Sequence, residues 1–195
     1  MKNICGPLPT SPCGGGVIEK FFFIVFFCFL TFPAYTQNVR TTIKLQAMDM
    51  AKAVIKNDFA SFYKYMHPKV VELAGCKEAM KNKMDSADAM MKQFGMKFKK
   101  IIIGIPSQVI SYKGALQCVV PQSTRMETFL GEMLVETSLI AISLDKGRNW
   151  YFIDTNVYKA DKLKSALPNL SPKLVIPPQK EPTFTPAAEN HRYEP

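Results

Sequence analysis

The side chains best suited to chemistry in this sequence are Tyr63, His67 and Asp154. Tyr63 precedes His67 by about one helical turn, and Asp154 follows a predicted strand, so a fold can bring a phenol, an imidazole and a carboxylate together. Such groups move a proton next to a carbonyl when burial shifts their pKa values. Structural roles are the favoured interpretation: His67 ends a helix, Tyr63 packs and Asp154 caps the residues after it. The sequence offers no pair of inward carboxylates that an isomerase would use.

No metal site or cofactor is predicted. The two histidines, His67 and His191, have no Cys or His partner at ligand spacing. Methionines are numerous, but Met80, Met84 and Met91 recur at helical spacing, which is typical of a core face rather than a copper site. The sequence also lacks a Gly-rich phosphate loop and a nucleophile elbow.

The N-terminal region predicts export. The ten apolar residues Phe21–Leu30 form a run too short to span a bilayer. The small residues Ala34 and Thr36 then precede Gln37, which is typical of a signal peptidase site. We therefore predict a signal peptide over residues 1–36, cleaved between Thr36 and Gln37, and a mature chain that is periplasmic or secreted without a transmembrane span.

Residues 1–16 do not resemble the positively charged lead of a signal peptide, because they contain three prolines and a run of glycines. Translation that begins at Val17 would give a signal peptide of ordinary length. Residues 1–16 would then not be translated.

Two cysteines remain after residue 36, namely Cys76 and Cys118. In an exported protein they can form a disulfide, or each can be a small buried hydrophobe. Spacing alone does not give the Cα separation that a disulfide needs, so both alternatives stay open.

The chain is basic, with a formal net charge of +9. A nucleic-acid reader usually carries a longer basic stripe with interleaved aromatic residues than Lys97, Lys99 and Lys100 provide. Export also argues against nucleic acid as a partner. These lysines are interpreted as a solvated face, compatible with weak attraction to anionic envelope surfaces.

The order of elements predicts an α+β fold. Apolar residues recur at helical spacing up to Gln93 in three helices, and Gly95 ends the third. Alternating strands follow to Ile153, with a hairpin turn predicted at Lys113-Gly114. Four or five antiparallel strands should form a curved sheet with the helices on one face. The domain is predicted over residues 37–167, with a short last helix from Tyr158 to Leu167.

Residues 168–195 contain seven of the fourteen prolines and few apolar residues. Such a composition cannot bury a core, so this segment is predicted to be a disordered tail.

Residues Ser143–Trp150 fit the pattern S-x-D-x-G-x-x-W of the Asp-box hairpin. Asp145 can accept backbone hydrogen bonds, Gly147 can adopt the left-handed conformation and Trp150 can pack on the preceding strand. A propeller would repeat this pattern at blade spacing, and it occurs once. The pattern therefore predicts a stabilised hairpin.

A short helix with the pattern Asp58-Phe59-x-x-Phe62, ended by His67-Pro68, follows a long helix and precedes a third helix and the strands. This arrangement resembles the nuclear transport factor 2-like superfamily, and is most similar to small exported bacterial members of undefined activity. The resemblance implies a cone-shaped α+β domain in which helices and a bent sheet enclose a pocket.

That superfamily includes isomerase and cyclase enzymes beside non-catalytic modules, and fold alone does not choose between them. The first hypothesis is an exported non-catalytic binding or interaction module for an apolar small molecule, with a homodimer through the open sheet face as an option. The alternatives are a small-molecule isomerase or cyclase that uses Tyr63, His67 and Asp154, and a cell-envelope scaffold that uses the proline-rich tail. The side chains expected to line the pocket are Phe62, Met66, Met84 and Trp150.

Overall fold

The computed structural model describes residues 32–157 and 167–187. These residues form helices followed by an antiparallel sheet, which confirms the predicted α+β class. The helices are α1 (Phe32–Ile55), α2 (Phe59–Tyr63), α3 (Pro68–Leu73) and α4 (Lys77–Gln93). The strands are β1 (Lys97–Ile103), β2 (Ile110–Tyr112), β3 (Ala115–Thr128), β4 (Gly131–Ser143), β5 (Tyr151–Asp154) and β6 (Thr183–Pro186).

The chain divides into two compact units, Met1–Asn38 and Val39–Pro195. Parts of three predicted segments lie outside the described residues. They are residues 1–31 of the predicted signal peptide, 158–166 of the predicted last helix and 188–195 of the predicted tail. Thr36 and Gln37 lie within α1. Within the described ranges, no helix is long and apolar enough to cross a membrane.

The sheet is built on the long hairpin of β3 and β4, which pair from Leu116 opposite Ser143 to Thr128 opposite Gly131. The strand order is β1-β3-β4-β5, with β2 also paired to β3 and β6 also paired to β4. The predicted turn at Lys113-Gly114 joins β2 to β3, and both residues have positive φ, as a tight two-residue hairpin requires.

Capping residues set where the short helices begin. Asp58 accepts a hydrogen bond from the Ser61 backbone N–H at 3.1 Å. Hydrogen bonds from the Ser61 side chain and backbone lower the pKa of the Asp58 carboxyl group. The second predicted helix ends earlier than expected, at Tyr63, and His67 instead begins α3. The reason is that His67 Nδ1 accepts the Lys69 N–H at 3.1 Å, while Pro68 fits the first helical position.

Two apolar clusters hold the fold together. In the first, α1 packs its predicted stripe against one side of the sheet. The second joins the short helices to β4, β5 and Leu167. The first cluster comprises Ile43, Ala47, Met50, Ala51, Ile103, Cys118, Val120, Leu139, Ala141, Trp150 and Phe152.

The prediction of a disordered tail is wrong for residues 168–187. Gln117 is buried and donates its amide to the Asn169 carbonyl at 2.6 Å, and its amide oxygen accepts the Ser171 N–H at 2.9 Å. Leu170, Leu174 and other apolar residues of this segment pack on the second cluster. Composition concealed this because a few well-placed apolar residues and one buried amide anchor the segment without a core of its own.

The same segment then adds β6 to the sheet. Gly131 has a φ of +149°, and a Cβ at this position would collide with the Thr185 carbonyl, so the close approach of β6 requires glycine. β6 therefore pairs with the edge of β4 near its start and extends the sheet there. A homodimer through the remaining sheet surface stays a prediction.

Candidate functional site

A cavity of about 510 Å³ lies between the helices and the inner face of the sheet. Its size is within the range of small-molecule sites, and most of its wall is apolar. Five methionines contribute to that wall, which gives it an adaptable, polarizable surface. The methionines are Met50, Met66, Met80, Met84 and Met126.

One part of the wall is polar. Gln122 Nε2 donates to Asp154 Oδ2 at 3.3 Å and to Thr137 Oγ1 at 3.4 Å. Gln122 and Thr137 are directly opposite each other on β3 and β4, and Asp154 is the last residue of β5. All three line the cavity, and we call them the polar group.

The carboxyl group of Asp154 is desolvated by its position in the wall of the cavity. Burial raises its pKa, while hydrogen bonds from the Asn156 backbone N–H at 2.7 Å and from Gln122 oppose that rise. The carboxyl group is thus less acidic than a free aspartate and can donate or accept a hydrogen bond in an apolar enclosure.

Three further polar residues line the cavity, namely Asn156, Thr124 and Lys83. Thr124 lies on the same face of β3 as Gln122, two residues away, and its side chain makes no hydrogen bond to another described residue. Lys83 is an exposed residue of α4 that also contributes to the wall. A ligand in the cavity therefore meets the Thr124 hydroxyl and the polar group inside and a cation near solvent.

The structure separates Tyr63, His67 and Asp154, the three residues that the sequence offered as a catalytic group. Asp154 lines the cavity, whereas Tyr63 and His67 do not. The Tyr63 ring contacts Phe59, with 5.7 Å between centroids, and the Lys77 ammonium lies 4.8 Å from its centroid.

The contacts of His67 are structural. Its Nδ1 caps α3, its ring contacts the edge of the Tyr151 ring, and burial lowers its pKa, which favours the neutral imidazole. The structural interpretation of Tyr63 therefore matches its contacts, whereas His67, expected to end a helix, caps the start of α3 instead. The structural interpretation of Asp154 holds in part, because Asp154 accepts the Asn156 N–H and also faces the cavity.

Of the four side chains predicted to line a pocket, Phe62, Met66 and Met84 do so. Trp150 does not. It is 1% exposed within the first cluster, and its indole N–H donates to the Gly147 carbonyl at 3.1 Å.

Trp150 belongs instead to the predicted turn, Ser143–Trp150, which we call the Asp-box turn. Asp145 Oδ1 accepts the backbone N–H groups of Arg148 and Asn149 at 3.1 and 2.9 Å, and its carboxylate also bonds Ser143 Oγ. These bonds, with that from Asn149 first among them, lower the pKa of Asp145. Gly147 has a φ of +91°, as the motif predicts.

The two cysteines are free thiols. Cys76 is exposed, and its Sγ accepts the Ala79 N–H at the start of α4. Cys118 is fully buried in the first cluster, where desolvation raises its pKa to about 12. The disulfide alternative is thus not formed, because one thiol caps a helix and the other lies in the core. Among the residues described, no group of His, Cys, Asp and Glu could hold a metal ion.

Sequence reasoning missed Gln122, Thr124 and Thr137. Their signal was present, since polar residues at alternate positions of an apolar strand share one face. The partner strand that makes this face the inside of a cavity is set only by the fold. Comparisons with family models, with curated proteins and with solved structures give no match to this chain.

Proposed function

We propose that this chain is an exported, non-catalytic binding module of the nuclear transport factor 2-like type, which holds one apolar small molecule in its cavity. The observation that carries the proposal is the cavity of about 510 Å³ with a methionine-rich wall and a single polar group. An apolar body gains free energy by leaving water for this wall, at about 25 cal/mol for each Å² buried.

The polar group defines the second part of the ligand. Asp154, Gln122 and Thr137 already bond one another, so they are oriented before a ligand arrives. Oriented polar groups fix the pose of a ligand and discriminate against analogues that leave them unpaired. We therefore expect a ligand with one hydroxyl or carbonyl group on an apolar frame.

Titration with an uncharged apolar fluorophore, N-phenyl-naphthylamine, tests this proposal. Val135 lines the cavity, so Val135→Trp should fill space that the probe needs and weaken binding by about tenfold or more. The control is Val175→Trp, because Val175 is highly exposed and does not line the cavity. Equal binding by both variants would contradict a site in this cavity.

Proton transfer by Asp154 alone is a second candidate, favoured by its raised pKa in an apolar enclosure. The two functions differ in their response to Asp154→Asn. A binding module keeps its affinity for the probe within about threefold and leaves its natural ligand chemically unchanged. Chemical conversion of that ligand by the wild type, abolished in Asp154→Asn, would establish an enzyme instead.

A further inference from the structure

The turn between β3 and β4 presents large apolar side chains to solvent. Phe129 is 77% exposed and its neighbour Leu130 is 75% exposed. They form the end of the longest hairpin in the described part of the chain, and they are held outward on it. Phe94 at the end of α4 and Phe184 on β6 are also largely exposed.

The elements that carry these side chains meet at the turn. The Phe129 ring lies over Gly95, where a Cβ would collide with it, so the end of α4 abuts the turn. The Ala187 N–H donates to the Leu130 carbonyl at 2.8 Å, which joins the end of β6 to the same turn. We call this surface the tip patch; its residues are Phe94, Phe129, Leu130 and Phe184.

The turn is braced rather than loose. Thr128 Oγ1 donates to the Gly131 carbonyl at 3.0 Å and accepts the Leu130 N–H at 3.2 Å. The backbone therefore keeps both apolar side chains exposed, and a partner does not have to order them on binding.

Charges surround the tip patch on the neighbouring strands. Nearest the turn they are balanced, because Lys97 pairs with Glu127 and Lys99 pairs with Glu132. About 10 Å from the turn along the strands, Lys100 is directly opposite Arg125, and both are exposed.

That second pair of charges is not balanced in the same way. Within the described residues, no carboxylate lies at ion-pair distance from Lys100 or Arg125, although Arg125 acts on Glu132 from further away. Two like charges opposite each other on adjacent strands destabilise a sheet. An external anion at this position would relieve that repulsion.

We propose that the tip patch docks this protein onto a bilayer surface containing anionic lipid, with Phe129 and Leu130 in the interface and Lys100 and Arg125 at the headgroup phosphates. Apolar side chains enter a bilayer interface by about 5–10 Å, which matches the spacing between the turn and this basic pair. The excess of basic over acidic residues, which persists in the chain from Gln37 onward, acts in the same direction.

A protein partner fits the tip patch less well. Specific protein interfaces bury more than about 1,000 Å², and a projecting turn with four apolar side chains offers little of that area to a flat or convex partner. A bilayer encloses a projecting turn on all sides. Docking by a few apolar side chains and two cations should be reversible. This inference is independent of the cavity and its ligand.

Vesicle sedimentation tests the proposal with a chain that begins at Gln37, which keeps the unit Val39–Pro195 whole and lacks the apolar run Phe21–Leu30. Wild type should bind vesicles of phosphatidylcholine and phosphatidylglycerol in equal parts, and bind pure phosphatidylcholine about tenfold more weakly. The double variant Phe129→Ser, Leu130→Ser should lose about tenfold of the binding to mixed vesicles.

The matched control is the double variant Ile105→Ser, Val175→Ser, which removes two equally exposed apolar side chains far from the turn in sequence and should bind like wild type. Absence of wild-type binding to either vesicle, or equal losses in both double variants, would overturn the proposal.

Leu130→Trp supplies a measurement that does not depend on the stability of the serine variant. Its emission should shift to the blue on mixed vesicles, over the constant signal of buried Trp150. Lys100→Gln with Arg125→Gln should lower binding to mixed vesicles and leave the weak binding to pure phosphatidylcholine unchanged. An unshifted emission, or a wild-type dimer in ultracentrifugation that Phe129→Ser abolishes, would contradict a bilayer as the partner.

Discussion

Two aspartates on one hairpin, Asp145 and Asp154, have opposite environments. Asp145 in the Asp-box turn accepts bonds from backbone and side-chain donors, and its pKa is lowered. Asp154 at the cavity is desolvated, and its pKa is raised. The first carboxylate stabilises the fold in its ionised form, whereas the second is less stable when ionised and stays available to a ligand. Burial and the number of hydrogen-bond donors, rather than the residue type, separate the two carboxylates.

The largest expected effect concerns the Asp-box turn. Trp150→Ala should lower the free energy of unfolding by about 3–5 kcal/mol, because it removes a fully buried indole and leaves a cavity in the first cluster. Urea unfolding followed by circular dichroism measures this loss. A loss of less than about 1 kcal/mol would mean that Trp150 is not part of the core.

Asp145→Ala should lower the free energy of unfolding by about 2 kcal/mol, since it leaves the Arg148 and Asn149 N–H groups without their acceptor. This loss of stability is expected at neutral pH. Because the folded pKa of Asp145 is lowered, its contribution is present above the unfolded pKa near 3.8 and disappears as the pH falls through the folded value. Asp145→Asn, which keeps an acceptor oxygen, should lose less, and equal losses in both variants would refute the assigned bonds.

Asp154→Asn should have the opposite sign and raise the free energy of unfolding at neutral pH, because the neutral amide avoids the cost of burying a charge. The folded pKa of Asp154 is raised, so wild type is relatively more stable below the unfolded pKa near 3.8 and loses that advantage as the pH rises through the folded value. The free energies of unfolding of wild type and Asp154→Asn should therefore differ at neutral pH and become equal in acid, where the wild-type carboxyl group is protonated. A variant that is destabilised at neutral pH would show that the ionised carboxylate is stabilised rather than desolvated.

The smallest effect is expected at His67, outside the cavity. His67→Ala removes the cap of α3 and should cost about 1 kcal/mol, whereas His67→Asn keeps a capping acceptor and should cost little. Binding of N-phenyl-naphthylamine should change by less than about twofold in both. Weaker probe binding by His67→Asn would show that His67 contributes to the binding site.

Sequence predicted the elements whose signals are local. The bounds of α4 follow from its helical period and from Gly95, and the β2–β3 turn follows from Lys113-Gly114. The bonds of Asp145 were predicted because donors and acceptor lie within five residues of one another. Such features depend on the backbone near the residue itself.

The features that were missed depend on distant parts of the chain. Gln117 meets Ser171 across 54 positions, and no pattern in a proline-rich segment announces that contact. Trp150 was expected at the pocket because an aromatic residue suits either a core or a ligand, and only the packing of α1 decides between them. The polar group likewise appears only when β3, β4 and β5 are aligned.

The most direct measurement of the central claim is native mass spectrometry of protein extracted from its producing cells without unfolding. We expect the wild type and Val175→Trp to carry one non-covalent apolar adduct, released on denaturation, and Val135→Trp to carry none. A wild type without any adduct that also fails to take up N-phenyl-naphthylamine, or an adduct retained by Val135→Trp, would contradict a ligand in this cavity.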